Sequence, residues 1–295
     1  MRESRPETWE CAGRILPTAG RPLVMGILNV TPDSFSDGGM HADADSAVEH
    51  GRKMLRDGAD IIDVGGESSR PGAEPVPAEE EMRRIIPVIR ALAADGATIS
   101  VDTYKSRVAR EAISAGAAII NDITAMTGDP QMADVAAESK AGVVLMHMQG
   151  TPRTMQIAPA YTDVVEEVAT WLEQRIKYAV ERGIRTEAIA VDPGIGFGKT
   201  VEHNLSLLAG LRRFAAIGRP VVVGVSRKSF LGRITGQPVE RRTAASVAAA
   251  VMAIANGADI LRVHDVEETR DAIRVAAAII NAGEGECGFP AGGHH

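Results

Sequence analysis

Gly58-Ala59-Asp60-Ile61-Ile62 decides the fold, because its pattern returns twice, as Gly116-Ala117-Ala118-Ile119-Ile120 and Gly257-Ala258-Asp259-Ile260-Leu261. In each case a glycine closes an Ala-rich amphipathic stretch and supplies the left-handed conformation that stops a helix. The chain then runs straight into β-branched residues that read as a buried strand. Working outward from these three points, short apolar runs at 24–28, 61–64, 98–101, 118–120, 143–147, 188–191, 221–225 and 260–263 alternate with helical stretches. Eight such units imply a closed parallel barrel, an α/β protein of the (β/α)8 TIM-barrel class.

The 295 residues allow one large barrel, since about 250 are typical of the class. No linker composition separates two domains. We therefore expect one barrel over 23–283, an N-terminal extension over 1–22 and a flexible tail over 284–295. An apolar fraction of 45%, rich in Ala, Ile and Val and poor in aromatic residues, suits strands buried on both faces.

A net charge of −7 with no extended basic run argues against a nucleic-acid partner. The longest apolar run, 244–255, falls short of the ~18 residues of a membrane span, and 1–20 lack a signal peptide's apolar core, so the expected location is the cytoplasm. Cys11 and Cys287 lie near opposite ends without metal-ligand spacing and read as unpaired thiols.

Long loops rich in Gly, Pro, Asp, Ser and Thr follow the first, second, fifth and sixth runs, at 29–43, 65–77, 150–161 and 192–200. Function should sit on that face. Polar residues recur where the strands run out: Asn29, Asp63, Asp102, Asn121, Asp122, His147, Asp192, Ser226, Arg227, Lys228, Arg262 and His264. Taken singly, each Asp or Asn is as readily a turn or cap residue; their coincidence across most strands makes the case. Asp60 and Asp259 stand at strand beginnings, on the opposite face, and read as structural. His147 reads as an interior histidine, and His41, His50 and His203 as surface.

Asp102, Asp192, Asn121 and Lys228 mix acceptors and donors, as a flat 2-amino-4-oxo heterocycle requires, and Asp192 is the choice for its paired N–H groups. A buried ion pair between Lys228 and an aspartate is the structural alternative. Arg262 and His264 alternate along the last strand and so share a face. With Asn29 and with Ser69 and Arg70, they make a plausible Mg²⁺-diphosphate pocket. The stretch from Gly194 to Thr200 imitates a phosphate loop, but Pro193 stands where that motif requires glycine.

These residues resemble the dihydropteroate synthase family from position 23 to 280. Met25-Gly26-Ile27-Leu28-Asn29-Val30-Thr31-Pro32-Asp33-Ser34-Phe35-Ser36-Asp37-Gly38-Gly39 is similar to its first signature, and Asp63-Val64-Gly65-Gly66-Glu67-Ser68-Ser69-Arg70-Pro71-Gly72 to its second. The resemblance implies condensation of 6-hydroxymethyl-7,8-dihydropterin diphosphate with p-aminobenzoate, giving dihydropteroate and diphosphate. It implies that Asp102, Asn121, Asp192 and Lys228 hold the pterin beside Met146, and that Asn29 ligates Mg²⁺. Ser69, Arg262 and His264 would hold the diphosphate, with Arg70 among the substrate-binding residues, and the aminobenzoate would lie between Phe197 and Lys228, with its carboxylate at Ser229. Arg262, His264, Lys228 and Asp102 form the implied catalytic set, in a homodimer. Ser69 replaces the family's usual threonine, which keeps the hydroxyl but loses the methyl that restricts its rotamer. A pterin-dependent methyltransferase and a non-catalytic pterin-binding barrel are the alternatives.

Overall fold

The computed structural model describes residues 6–31, 39–68 and 72–283. The chain opens with an antiparallel hairpin, β1 (Thr8–Cys11) and β2 (Arg14–Pro17), and then alternates strand and helix. The strands are β3 (Leu23–Asn29), β4 (Ile61–Gly65), β5 (Ile99–Asp102), β6 (Ile119–Asp122), β7 (Gly142–Met146), β8 (Ile189–Asp192), β9 (Val222–Val223) and β10 (Ile260–Val263). Between and after them run α1 (Gly39–Arg56), α2 (Ala78–Ala94), α3 (Ser106–Ser114), α4 (Met132–Ser139), α5 (Val164–Glu181), α6 (Val201–Ala209), α7 (Leu211–Ala215), α8 (Ser229–Thr235), α9 (Thr243–Asn256) and α10 (Val266–Gly283).

The sheet order is β8-β7-β6-β5-β4-β3-β10-β9, all parallel, and a bridge between Val191 and Val221 joins its two ends. The barrel expected from the sequence is thus closed. One strand is shorter than its apolar run: of 221–225, only Val222–Val223 is ladder. The Asp259 carboxylate takes the Val221 N–H at 2.9 Å, where a neighbouring strand would otherwise accept it. At the other end the backbone turns through a left-handed Arg227, φ 56°.

Side chains alternate faces along each strand, so the barrel interior can be read two residues at a time. Leu23, Met25, Ile61, Ile119, Val144, Ala190, Val222 and Ile260 form one buried apolar cluster. Two residues beyond five of these, on the same face, stand Asp63, Asn121, Met146, Asp192 and Arg262. Each of these five strands therefore carries an apolar foot and, with Met146 excepted, a polar head. The outward side chains form a separate large cluster beneath the helices.

Trp9 and Cys11, both fully buried, join the inner cluster from β1. The Trp9 indole N–H donates to Ala188 O at 2.8 Å. Gly142 is required there, because a Cβ would stand 2.4 Å from Cys11 Sγ. The hairpin of residues 8–17 consequently packs as a floor against the inner cluster. Trp9→Ala should cost about 3–5 kcal/mol of stability through the void it leaves. A denaturant titration checks this, and a loss below about 1 kcal/mol would detach the hairpin from the core.

Cys11 is unpaired among the described residues, and burial pushes its thiol well above the usual range. Cys287 lies outside them. Asp60 accepts Val24 N at 2.8 Å and pairs with Arg21 and Arg270 at 2.7 Å each, the bracing role its place at a strand start suggested. No helix among the described residues is long and apolar enough to cross a membrane.

Candidate active site

At the carboxyl rim, parallel register sets Gly65 beside Asp102 and Asp102 beside Asn121, while Arg262 pairs across to Met25. Long side chains close the remaining gaps. Arg262 Nε donates to Asp63 Oδ2 at 2.6 Å and Nη2 donates to Asp102 Oδ2 at 2.6 Å. Asn121 Nδ2 donates to the same Asp63 oxygen at 3.0 Å. One guanidinium thus ties residues 160 and 199 positions away into a single network. The Asp63 carboxylate is wholly buried at its centre. Strand-end position marked Asp63 as polar, but only barrel closure reveals it as the shared partner of Arg262 and Asn121.

The ion pair in the barrel is therefore made by Arg262 and not, as the alternative reading had it, by Lys228. Burial pushes the Asp102 carboxyl up to about 7, with Arg262 pulling it back and Asp63 adding to the rise. The Arg262 guanidinium is held above its ordinary range by its carboxylates, against the effect of burial. Burial and the nearby Arg262 and Arg227 charges press the His264 imidazole down to about 3, so it is neutral here and not a second cation. Its Nδ1 lies 3.0 Å from Ser226 Oγ, which leaves Nε2 as the nitrogen that can donate to an anion.

Asp192 and Lys228 lie across the mouth. Asp192 Oδ1 accepts the Gly194 N–H at 2.7 Å, which fixes the carboxylate plane. Burial raises its pKa, while that hydrogen bond and Lys228 pull it down. Lys228 Nζ stands 4.1 Å from the Phe197 ring centroid, and burial with the Arg262 charge lowers it to about 8. Phe197 and Met146 share a small apolar cluster with Ile123 and Met155, two residues that no sequence pattern singled out. The left-handed turn at Arg227 aims Lys228 inward and is braced by Ser246 Oγ on Arg227 N, 2.9 Å, and Arg242 Nη1 on Arg227 O, 3.1 Å. Ser229 is exposed at the start of α8.

Residues 194–200 are no phosphate loop. Thr200 caps α6 in a reciprocal box with His203, so His203 belongs to the fold and not to the surface alone. Lys199 points inward, buried, and its amine contacts His147 Nδ1 at 3.0 Å and Phe197 O at 2.9 Å. Burial lowers that amine to about 7 and the neighbouring His147 to about 3. The sequence does not single out Lys199, because its motif reads only as an imperfect phosphate loop. Gly194 lies so close to strand β7 that a Cβ would stand 1.9 Å from His147 O.

The loop after β4 is anchored by Glu67, which accepts Tyr104 OH at 3.0 Å, Lys105 Nζ at 2.6 Å and Val76 N at 2.8 Å. Lys105 also pairs with buried Glu81. Ser69, Arg70 and positions 32–38 lie outside the described residues. Asn29 is half-buried at the end of β3. No group of three or more His, Cys, Asp or Glu suited to a metal occurs among the described residues. A lone amide oxygen does fit a Mg²⁺ ion that takes most of its ligands from phosphate and water.

Comparison with known proteins identifies the family. The model of the family described as pterin binding enzyme matches residues 25–264. Dihydropteroate synthase of Escherichia coli strain K12 is 50% identical over 264 residues, 89% of this chain and 93% of that protein. The Bacillus subtilis strain 168 dihydropteroate synthase is 47% identical, over 89% of this chain and 90% of that one. Xanthomonas albilineans dihydropteroate synthase solved with 4-aminobenzoic acid superposes with a TM-score of 0.87 at 49% identity, over 93% of this chain and 98% of that one. Its complex with 7,8-dihydropteroate gives 0.84 at 47%, over 92% and 98%. At this identity and coverage, the chain belongs to the pterin-binding enzymes and, within them, to the dihydropteroate synthases.

Proposed function

We propose that the chain joins 6-hydroxymethyl-7,8-dihydropterin diphosphate to p-aminobenzoate, forming 7,8-dihydropteroate and releasing diphosphate. The observation that carries this reading is the set of groups gathered at the strand ends. Asp192, Asn121 and Lys228 offer acceptors and donors to a flat ring, and Arg262, itself held by Asp63 and Asp102, joins His264 in offering donors to an anion.

The bond that breaks joins a CH₂ to a diphosphate oxygen beside an electron-rich ring, so departure can precede attack. Arg262 and His264 Nε2 donate to the oxygens on which charge develops. The Asp102 and Asp192 carboxylates favour the cation left on the pterin methylene, and the aniline nitrogen of p-aminobenzoate attacks it from the side of Phe197 and Lys228. The attacking amine is already nucleophilic, so no strong general base is needed. Asn29 would hold Mg²⁺, which when bound supplies positive charge to the diphosphate.

Ser69 and Arg70 complete the diphosphate side in this reading, and Ser229 receives the aminobenzoate carboxylate. A homodimer fits the exposed apolar side chains Leu205, Ile234 and Met252, carried by the mutually contacting helices α6, α8 and α9. A cytoplasmic location fits the unpaired, buried Cys11.

Incubation with the pterin diphosphate, Mg²⁺ and radiolabelled p-aminobenzoate should yield labelled dihydropteroate. The absence of product above background would overturn the assignment and leave a pterin-binding barrel of another activity. Diphosphate should also appear slowly without the amine, as expected when departure comes first.

A further inference from the structure

The loop between β8 and α6 turns through three glycines with positive φ, Gly194, Gly196 and Gly198, and is tied down almost atom by atom. Gly194 N is held by Asp192, Gly196 N by Asn204 Oδ1 at 2.7 Å, Gly196 O by Gln156 Nε2 at 2.9 Å and Gly198 O by Tyr161 OH at 3.0 Å. These ties secure the glycines. Phe197, the one aromatic side chain among them, has its own carbonyl held by Lys199 Nζ at 2.9 Å.

The same amine reaches His147 Nδ1 at 3.0 Å and His147 O at 3.4 Å, at the end of β7. His147 is itself wedged edge-on against Trp171, ring centroids 4.9 Å apart. Lys199 is 3% exposed, its three hydrogen-bond partners are neutral, and the Asp192 carboxylate acts on it by charge without making an ion pair. An amine buried among neutral acceptors is a poor choice for stability, since an apolar side chain of the same length would avoid its desolvation. What the amine adds is a donor linking the Phe197 backbone to a rigid strand end.

We propose that Lys199 is a positioning residue for the aminobenzoate subsite: it pins Phe197 to the end of β7 and so holds the Phe197 ring at its distance from Lys228. The inference rests on the reading above, in which the aromatic amine lies between Phe197 and Lys228. It separates the two substrates, because the pterin contacts Asp192, Asn121 and Asp102 are secured by other bonds.

The test is Lys199→Met in the full chain, with steady-state kinetics against both substrates and a thermal melt. The expected result is a rise of about tenfold in the KM for p-aminobenzoate, the scale of one lost hydrogen bond. The KM for the pterin diphosphate should stay within twofold, and the melting temperature should be unchanged or higher. Lys199→Gln, which retains a donor for Phe197 O, should recover most of the loss. An aminobenzoate KM within twofold of wild type in Lys199→Met would overturn the inference. So would a parallel rise in both KM values, or a Lys199→Met chain that fails to fold, because either assigns the lysine to stability. Failure of the wild-type chain to make dihydropteroate would instead remove the underlying reading, which keeps the two failures apart.

Discussion

Asp63→Asn should cost about 3–5 kcal/mol of stability, the usual penalty for breaking a buried ion pair from one side. It should also lower kcat by about 10²-fold, the scale set by loss of a positioned donor to developing charge. The carboxylate is wholly buried, and its Oδ2 accepts from both Arg262 Nε and Asn121 Nδ2. An asparagine there removes the charge that balances the guanidinium and must turn its amide either toward or away from these donors. Arg262 would then lean on Asp102 alone, drawing the guanidinium toward the pterin side and away from the diphosphate. Denaturant titration and single-turnover kinetics read the two effects separately. Changes below about 1 kcal/mol and threefold would show that Asp102 suffices to hold Arg262.

Asp192→Asn should behave in the opposite way, leaving the fold intact while weakening binding. Pterin affinity should fall by about 2–3 kcal/mol, the scale of charged hydrogen bonds, or on the order of 10²-fold in Kd. The asparagine oxygen can still accept from Gly194 N, and a neutral side chain relieves the burial that pushes the Asp192 carboxyl up. The melting temperature should therefore hold. Calorimetry with the pterin substrate is the measurement, and an unchanged affinity would remove Asp192 from the pterin pocket.

The contrast between these two aspartates shows what a sequence discloses. Both end a β-branched run, and both were legible as rim residues because strand period and the glycine-terminated helices repeat along the chain. What each one touches depends on barrel closure, which brings Arg262 to Asp63 across 199 positions. No local pattern encodes that pairing. The hairpin is a second example: the residues before Leu23 read as an extension, and only packing shows Trp9 sealing the inner cluster. Lys199 is a third, since a lysine after Gly198 has the same appearance whether it faces a phosphate or, as here, two backbone carbonyls and a histidine. The diphosphate side is the part of the site least described, because Ser69 and Arg70 fall outside the described residues.

The stopper that Trp9 places in the barrel plugs the end of the vessel away from the polar strand ends. Asp192 and Asn121 are sunk below that opposite brim, and Ser229 stands on its outer lip.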